Sequence, residues 1–332
     1  MIRTQPDDFI VEERLGFEPS GAGEHAWLRL RKRGINTEYL ARALARVAGL
    51  PARDVGYAGL KDRHAVSSQW FSVHLPGRTM QDWQGRLPDG VELLAATRHG
   101  RKLQKGALAG NHFTITVRDC VGDRAALSRR LVEIARDGVP NYFGEQRFGC
   151  DAANVAHARA MFAGSQPVRD RYRRGIYLSA ARALLFNEVL ARRVSDGTWA
   201  QLLDGEAVML SGSRSFFVAQ AIDDVLRGRA AHHDVHPSGP LWGRGELPTR
   251  AVVRALEEEV GSSHPDLTRG LATGGLRQER RALRLVPQAL SAHWSDETTL
   301  VFSFALPAGS YATTLLRELV DYRDAAHLAP RA

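Results

Sequence analysis

The chain contains 332 residues, with 45 Lys or Arg against 37 Asp or Glu, which gives a formal net charge of +8 and a pI near 9.9. With 44% hydrophobic and 25% charged residues, this composition is typical of a globular protein and excludes wholesale disorder. Two cysteines are too few for a disulfide framework and no apolar run could cross a bilayer, so we expect a cytoplasmic protein. The high pI predicts that its partner is a polyanion, nucleic acid before an acidic membrane.

The first half of the chain predicts alternating strands and helices. Period-two alternation of apolar residues predicts a strand at 26–31, and an apolar stripe of helical spacing predicts a helix from Asn36 or Thr37 to Gly49. Further strands are expected at 55–58, from 71 to the Pro76-Gly77 turn, at 91–97 and at 112–118, followed by a helix between Asp123 and Gly138. Because there is no strict βαβ rhythm, we expect an α+β fold with a largely antiparallel sheet.

From about residue 152 to 285 the sequence changes in character. Helical segments near 152–163, 178–194 and 249–260 are separated by long stretches rich in Gly, Ser, Pro and His. Apolar alternation returns at 299–304, where a strand could rejoin the first sheet. The middle of the chain would then be an insertion.

The loop Gly59–Ala65 carries the strongest chemical signal. Asp62 lies between Lys61 and Arg63, and nearby cations favour the ionised form of a carboxylate. An ionised and positioned Asp acts as a nucleophile or a general base, whereas the alternative is an exposed turn whose charges form salt bridges. The chain has only four lysines against 41 arginines (45 minus 4), so a lysine beside this aspartate favours a site.

A second segment, Pro140–Gly149, combines three aromatic residues with Asn141, Gln146 and Arg147 between turn-forming glycines. This combination suits a site that stacks on a planar ligand and hydrogen-bonds its edge. A buried hairpin that uses the aromatic rings as core is the alternative.

Two arginine-rich stretches are typical of phosphate-contact surfaces, with a solvated charged face as the alternative for each. Arginines 169, 171, 173 and 174 surround Tyr172, and arginines 277, 280, 281 and 284 recur near one helical face. The stretch His232–His236 has residue types found in metal sites, but no companion Cys or Glu set, which disfavours metal binding.

Gly59–Gln69 resembles the catalytic signature of the tRNA pseudouridine synthase D (TruD) family. Other segments resemble further motifs of that family, in the family order and over essentially the whole chain. These segments are 6–13, 110–113, 140–149, 179–187 and 306–313.

The resemblance implies an α+β pseudouridine synthase catalytic domain with a mixed, largely antiparallel sheet, at residues 1–166 and 286–332. An inserted α/β TRUD domain is implied at 167–285. The implied activity is isomerisation of uridine to pseudouridine in tRNA, at uridine 13 of the D-arm region and notably in glutamate tRNA, without metal or organic cofactor. We therefore expect a monomer whose partner is tRNA, with no membrane or protein partner.

The resemblance also implies the residues of the site. The catalytic aspartate of the family falls on Asp62, while Phe9, Asn141 and Tyr311 fall on positions that line the uridine pocket, with Phe143 as a neighbouring aromatic. Tyr311 stands where the family often has Phe, so its hydroxyl needs a hydrogen-bonding partner.

Other roles are hypotheses from the residues themselves. Lys61, as a substrate-binding residue, or Arg147 could stabilise negative charge on the detached uracil. We expect Arg147, Arg171, Arg173 and Arg280 to contact RNA.

The sequence leaves the chemical route and two other functions open. The uridine must first be extruded from folded RNA, after which Asp62 either attacks the nucleoside covalently or removes a sugar proton. A non-enzymatic RNA-binding or RNA-chaperone protein on the same scaffold needs the arginines but not this carboxylate. A metal hydrolase built on His232–His236 is a third possibility.

Overall fold

The computed structural model describes residues 1–80 and 82–328. Contacts divide the chain into two compact units: unit 1 comprises 1–131, 287–309 and the chain from 319 on, and unit 2 comprises 132–286 and 310–318. The predicted domain division at 166/167 and 285/286 stays a prediction. In the described ranges, no helix is long and apolar enough to span a membrane.

The strands and helices are listed here in chain order. The strands are β1 (Phe9–Leu15), β2 (His25–Arg33), β3 (Val55–Tyr57), β4 (Val66–His74), β5 (Val91–His99), β6 (Leu108–Val117), β7 (Val139–Pro140), β8 (Ala207–Leu210), β9 (Phe216–Val218), β10 (Val235–His236), β11 (Ser238–Leu241), β12 (Glu279–Ala282), β13 (Arg284–Leu285), β14 (Gln288–Trp294) and β15 (Leu300–Pro307). The helices are α1 (Thr37–Ala48), α2 (Arg124–Asp137), α3 (Ala153–Phe162), α4 (Arg171–Ser195), α5 (Asp224–Ala231), α6 (Ala251–Ser263), α7 (Pro265–Thr273), α8 (Ala312–Arg317) and α9 (Ala325–Leu328).

Unit 1 is built on one sheet with the strand order β14-β15-β6-β1-β4-β2-β5, with β3 also paired to β4. Strands β1 and β4 run parallel, and the other pairs of this sheet are antiparallel. The late strand β15 pairs with β6 along its whole length, so the chain does return to the first sheet. The predicted α+β class with a mixed, largely antiparallel sheet is confirmed.

Helix α1 covers one face of this sheet. The Asn36 side chain accepts a hydrogen bond from the Glu38 amide, and Gly49 ends the helix with φ 63°, a conformation that glycine adopts without steric cost. The apolar stripe of α1, including Leu40 and Leu44, packs against the inward side chains of β2 and β4. The Asp62 loop joins β3 to β4 beside this core.

Unit 2 contains long helices and short strands. Helix α4 packs with α3, α6 and α7 around a core that includes Leu185, Trp242 and Leu271. Small sheets complete the unit, with the orders β10-β8-β9, β11-β12 and β13-β7. The short pairing of β13 with β7 fixes the start of the Pro140–Gly149 segment.

The predicted elements of the first half are confirmed, with ends that differ by a few residues. The sequence does not predict strand β1. Its inward side chains are Phe9, Val11 and Glu13, and the buried carboxylate of Glu13 breaks the apolar alternation. Helix α4 begins at Arg171, seven residues before the predicted start at 178, because its first turns are arginine-rich and are held by the Asp170 cap.

Candidate active site

Asp62 lies in the loop between β3 and β4 with its side chain 29% exposed. Its Oδ1 atom accepts a hydrogen bond from the His64 amide at 3.0 Å. Its Oδ2 atom lies 3.0 Å from Nη1 of Arg3. Both carboxylate oxygens are therefore held, while part of the group remains open to solvent.

Arg3 is the main partner of Asp62, although 59 residues separate them in the chain. Its side chain is only 4% exposed, and the same Nη1 atom also lies 3.2 Å from Oδ2 of Asp324. The guanidinium carbon lies 4.2 Å from the centroid of the Phe9 ring. Phe9, predicted to line the pocket, is thus a buried ring with a cation against it, and that cation also contacts Asp62.

Lys32 lies beneath the Asp62 loop and is fully buried. Its Nζ atom donates to the carbonyl oxygen of Ile35 at 2.7 Å and to that of Asp62 at 3.1 Å. Burial lowers the pKa of Lys32 to about 8, although the charge of Asp62 opposes that shift. This lysine fixes the backbone of the aspartate rather than its carboxylate.

Lys61 forms a buried ion pair with Glu13. Nζ of Lys61 lies 2.6 Å from Oε1 of Glu13, and the other carboxylate oxygen accepts a hydrogen bond from the Trp70 amide at 2.8 Å. Burial raises the pKa of Glu13, while the charge of Lys61 lowers it. The unusual lysine noted in the sequence anchors the loop to β1 and β4.

The first turn of α1 holds the same loop. Oγ1 of Thr37 accepts a hydrogen bond from the Lys61 amide at 3.0 Å and donates to Oε1 of Gln69 at 3.0 Å. The Gln69 amide nitrogen in turn donates to the Gly59 carbonyl at 2.6 Å. The loop is therefore held at Gly59, Lys61 and Asp62 by side chains from three elements.

The Pro140–Gly149 segment forms a cluster within unit 2, centred on Asn141 and Phe143. Asn141 is buried; its Nδ2 atom donates to the Ala282 carbonyl at 2.8 Å, and its Oδ1 atom accepts from Nη2 of Arg281 at 2.6 Å. The Arg281 guanidinium also lies 4.1 Å from the centroid of the Phe143 ring. Burial lowers the pKa of Arg281 to about 10.

Tyr311 joins this cluster through its ring and its hydroxyl. Its ring packs edge-to-face on Phe143, with 6.2 Å between centroids. A side chain at position 144 would bring its Cβ to 3.1 Å from the Tyr311 ring, closer than most Cβ contacts, so Gly144 packs tightly against this ring. Nε of Arg147 donates to the Tyr311 hydroxyl at 2.9 Å, and Nη1 donates to Ser179 at 2.8 Å. The partner expected for the hydroxyl is therefore Arg147.

Comparisons with known proteins decide the family. A family model described as tRNA pseudouridine synthase D (TruD) matches residues 1–165 and 155–319. The chain is 51% identical over 329 residues to tRNA pseudouridine synthase D of Nitrosococcus oceani, covering 98% of this chain and 91% of that protein. It is 50% identical over 344 residues to the protein of the same name from Xanthomonas campestris pv. campestris, covering 100% and 94%. The chain belongs to the TruD family.

A solved structure described as a putative tRNA pseudouridine synthase D (TruD) from Methanosarcina mazei has the same fold. It matches with a TM-score of 0.71 at 20% identity and covers 96% of this chain and 92% of that one. The fold expected for a TruD family member is thus present over nearly the whole chain.

The arginines predicted to contact RNA occupy different environments in this TruD family member. Arg171 and Arg173 are exposed in the first turn of α4, whereas Arg147 is half-buried and bonded to Tyr311 and Ser179. Arg280 is buried, with Nη2 2.8 Å from Oε1 of Glu257, so the prediction that it contacts a phosphate is wrong. Its charge is neutralised inside unit 2.

The predicted helical face at 277–284 is also corrected. Arg280 and Arg281 lie on strand β12 and Arg284 on β13. Arg284 is buried and donates from Nε to Nδ1 of His236 at 3.1 Å. Neighbouring strand residues point to opposite faces, so these arginines form no common basic surface.

The three histidines at 232–236 contact other groups of the protein, although only His236 is buried. His232 contacts the Gly228 carbonyl at 2.8 Å and His233 the Arg136 carbonyl at 2.9 Å. Burial and the charge of Arg284 lower the pKa of His236 to about 4. Within residues 1–80 and 82–328, no three His, Cys, Asp or Glu side chains form a group that could hold a metal ion.

Sequence reasoning missed Arg3, Lys32 and Glu13 as parts of the site. Their partners in the Asp62 loop lie between 30 and 59 residues away in the chain, so spacing carries no signal for these contacts. For Lys32 the available signal was its rarity, since it is one of four lysines.

Proposed function

We propose that Asp62 is the catalytic carboxylate of this chain and that the substrate is uridine 13 in the D-arm region of tRNA, with glutamate tRNA among the substrates. Membership of the TruD family makes the chain a tRNA pseudouridine synthase, which is an isomerase. The observation that carries the proposal is the held, partly exposed carboxylate of Asp62, with Arg3 at 3.0 Å.

The reaction breaks the bond between N1 of uracil and C1′ of the ribose and forms a bond between C5 and C1′. The C5 proton is lost and N1 gains a proton, so atoms balance without an oxidant or reductant. Asp62 serves either as the nucleophile at C1′ or as the base that removes the C2′ proton. Its two oxygens are oriented by Arg3 and by the His64 amide, which prepares the group for either step.

For unit 2 we propose that Phe143 and Tyr311 stack on an unpaired base of the RNA and that Asn141 hydrogen-bonds a base edge. Aromatic rings offset the stacking that an extruded nucleotide loses. The contacts of Arg281 and Arg147 hold Asn141 and Tyr311 in fixed orientations. Arg171 and Arg173, both exposed, are proposed phosphate contacts. The proposed setting is a cytoplasmic monomer.

The test of Asp62 uses tRNA from a strain that lacks the gene, complemented with the wild-type chain or with Asp62→Asn. Pseudouridine is located by carbodiimide labelling and primer extension. We expect the modification at uridine 13 with wild type and its complete loss with Asp62→Asn, which keeps the size of the side chain but removes its charge. Equal modification by both proteins would rule out Asp62.

Deuterium at C2′ of the target uridine distinguishes the two routes. Removal of the C2′ proton by Asp62 predicts a primary isotope effect on the single-turnover rate, whereas attack at C1′ predicts none on that step. A scaffold that only binds RNA predicts tRNA binding without any pseudouridine from the wild-type chain.

A further inference from the structure

The turn between β5 and β6, residues 100–107, is called the basic loop here. It carries Arg101, Lys102 and Lys105, and no Asp or Glu occurs from Leu93 to Arg118. The three basic residues are exposed, whereas Leu103 between them is buried. The loop therefore presents positive charge without an acidic residue of its own to offset it.

The backbone of the basic loop is fixed by hydrogen bonds along its length. The Arg101 carbonyl accepts from Nε1 of Trp27 at 2.9 Å, and the Leu103 amide donates to Oγ of Ser72 at 2.9 Å. The ammonium group of Lys102 donates to the Arg53 carbonyl. A Cβ at Gly56 would lie 2.4 Å from the Leu103 carbonyl oxygen, so the loop and β3 approach as closely as glycine allows.

The basic loop is also bonded to the segment that carries Asp62. The Gly106 amide donates to the carbonyl of Ala58 at 3.0 Å. Ala58 precedes Asp62 by four residues, and four steps of 3.8 Å place their Cα atoms at most about 15 Å apart. When the reacting uridine is at Asp62, a phosphate only a few nucleotides away along the RNA can lie at a distance of this size.

An exposed aromatic ring lies beside the same loop. Phe17 is 43% exposed and packs edge-to-face on Trp27, with 5.8 Å between centroids, and against His99 at 5.6 Å. His99 is the last residue of β5, next to the basic loop. Positive side chains next to an exposed ring suit RNA, because its phosphates bind positive side chains and its unpaired bases stack on aromatic rings.

We propose that the basic loop binds the backbone of the substrate tRNA close to the target uridine, through Arg101 and Lys105, with Phe17 as an adjacent stacking surface. The partner follows from the proposed function, on which this inference rests. A fixed loop binds a phosphate at low entropic cost, because its backbone is already ordered by Trp27, Ser72 and Ala58. Lys102 contributes charge while its ammonium is bonded to the Arg53 carbonyl.

The test compares the full-length double variant Arg101→Ala/Lys105→Ala with wild type in binding to an unmodified glutamate tRNA transcript. The dissociation constant is measured at several salt concentrations. Two lost phosphate contacts should weaken binding about tenfold at low salt and reduce the slope of log K against log salt by about 1.5. The matched control is Arg31→Ala/Arg42→Ala, which removes two exposed charges of unit 1 that are paired with Glu92 and Glu38. The control should keep the wild-type slope.

Three results would overturn the proposal. The first is a wild-type slope of log K against log salt for the basic-loop variant. The second is an equal fall in this slope for the control, which would show that the loss of any two positive charges has the same effect. The third is unchanged tRNA affinity together with lost binding to phosphatidylserine vesicles, which would make the loop a lipid-binding surface. Pseudouridine formation by wild type is measured in parallel, so failure of the proposed function is seen separately from failure of this inference.

Discussion

At the scale of single residues, Arg3 is the side chain on which the orientation of Asp62 depends. One nitrogen of its guanidinium lies within 3.2 Å of both Asp62 and Asp324, so its loss leaves two carboxylates without the cation between them. We expect Arg3→Met to lower the single-turnover rate of pseudouridine formation at least tenfold, about 1.4 kcal/mol in the barrier. Arg3→Lys, which keeps the charge, should lose less.

The control for Arg3 is Arg33→Met, which breaks an exposed ion pair with Asp7 in the same unit. Exposed pairs contribute little, so this variant should retain wild-type rates. Wild-type turnover by Arg3→Met would show that the Asp62 carboxylate does not need its ion pair.

Lys32 predicts a pH dependence of stability. Its pKa is about 8 in the folded protein and near 10.5 when unfolded, so between these values the unfolded state binds one more proton. Folding stability from this group therefore rises with pH from 8 to 10.5, by about 3 kcal/mol over the full interval. Below pH 8 the buried charge remains and this gain is absent.

The measurement is the free energy of unfolding in urea from pH 7 to 10.5 for wild type and for Lys32→Met. The Met side chain is similar in length to Lys but has no group that titrates. The stability of wild type relative to the variant should increase with pH. A difference that is constant over this interval, or that falls, would contradict the depressed pKa of Lys32.

At the scale of elements, the first turn of α1 supports the Asp62 loop through Thr37. Thr37→Val keeps the shape of the side chain but removes the acceptor for the half-buried Lys61 amide and the donor for the buried Gln69 side chain. We expect a loss of about 1–3 kcal/mol in unfolding free energy and slower pseudouridine formation. Urea unfolding and single-turnover assays measure the two effects.

Thr37→Ser retains the hydroxyl and serves as the control. It should stay close to wild type in rate, with only the small loss due to a missing methyl group. If Thr37→Val matched wild type in both stability and rate, the bond from α1 to the loop would be irrelevant to the site.

The elements that were predictable are those whose own side chains alternate or repeat. Strand β2 and helix α1 follow from their apolar periodicity, because burial of one face decides them. Strand β1 does not follow, since the groups that make Glu13 a tolerable inward residue, Lys61 and the Trp70 amide, lie 48 and 57 positions away. The same holds for Asp62. The motif singles it out as the candidate catalytic residue, but its contacts with Arg3 and Lys32 form only in the folded chain.

At the scale of the whole molecule, the excess of 8 positive charges is a poor guide to where RNA binds. Arg280 and Arg284 are buried and bonded inside unit 2, and Arg193 forms a buried ion pair with Glu206. Arg171 and Arg173 keep their charges on the surface. Burial and bonding to partners elsewhere in the chain, which composition does not reveal, decide which arginines are available to a polyanion.

The four lysines have a practical consequence. Lys32 is fully buried and the Lys61 side chain is 10% exposed, whereas Lys102 and Lys105 are exposed on the basic loop. Among the lysines, amine-acylating reagents should therefore label Lys105 first in the folded chain, while Lys32 and Lys61 react on unfolding. The protein thus carries two chemical reporters, one for the basic loop, where we propose that tRNA binds, and one for the integrity of the structure around Asp62.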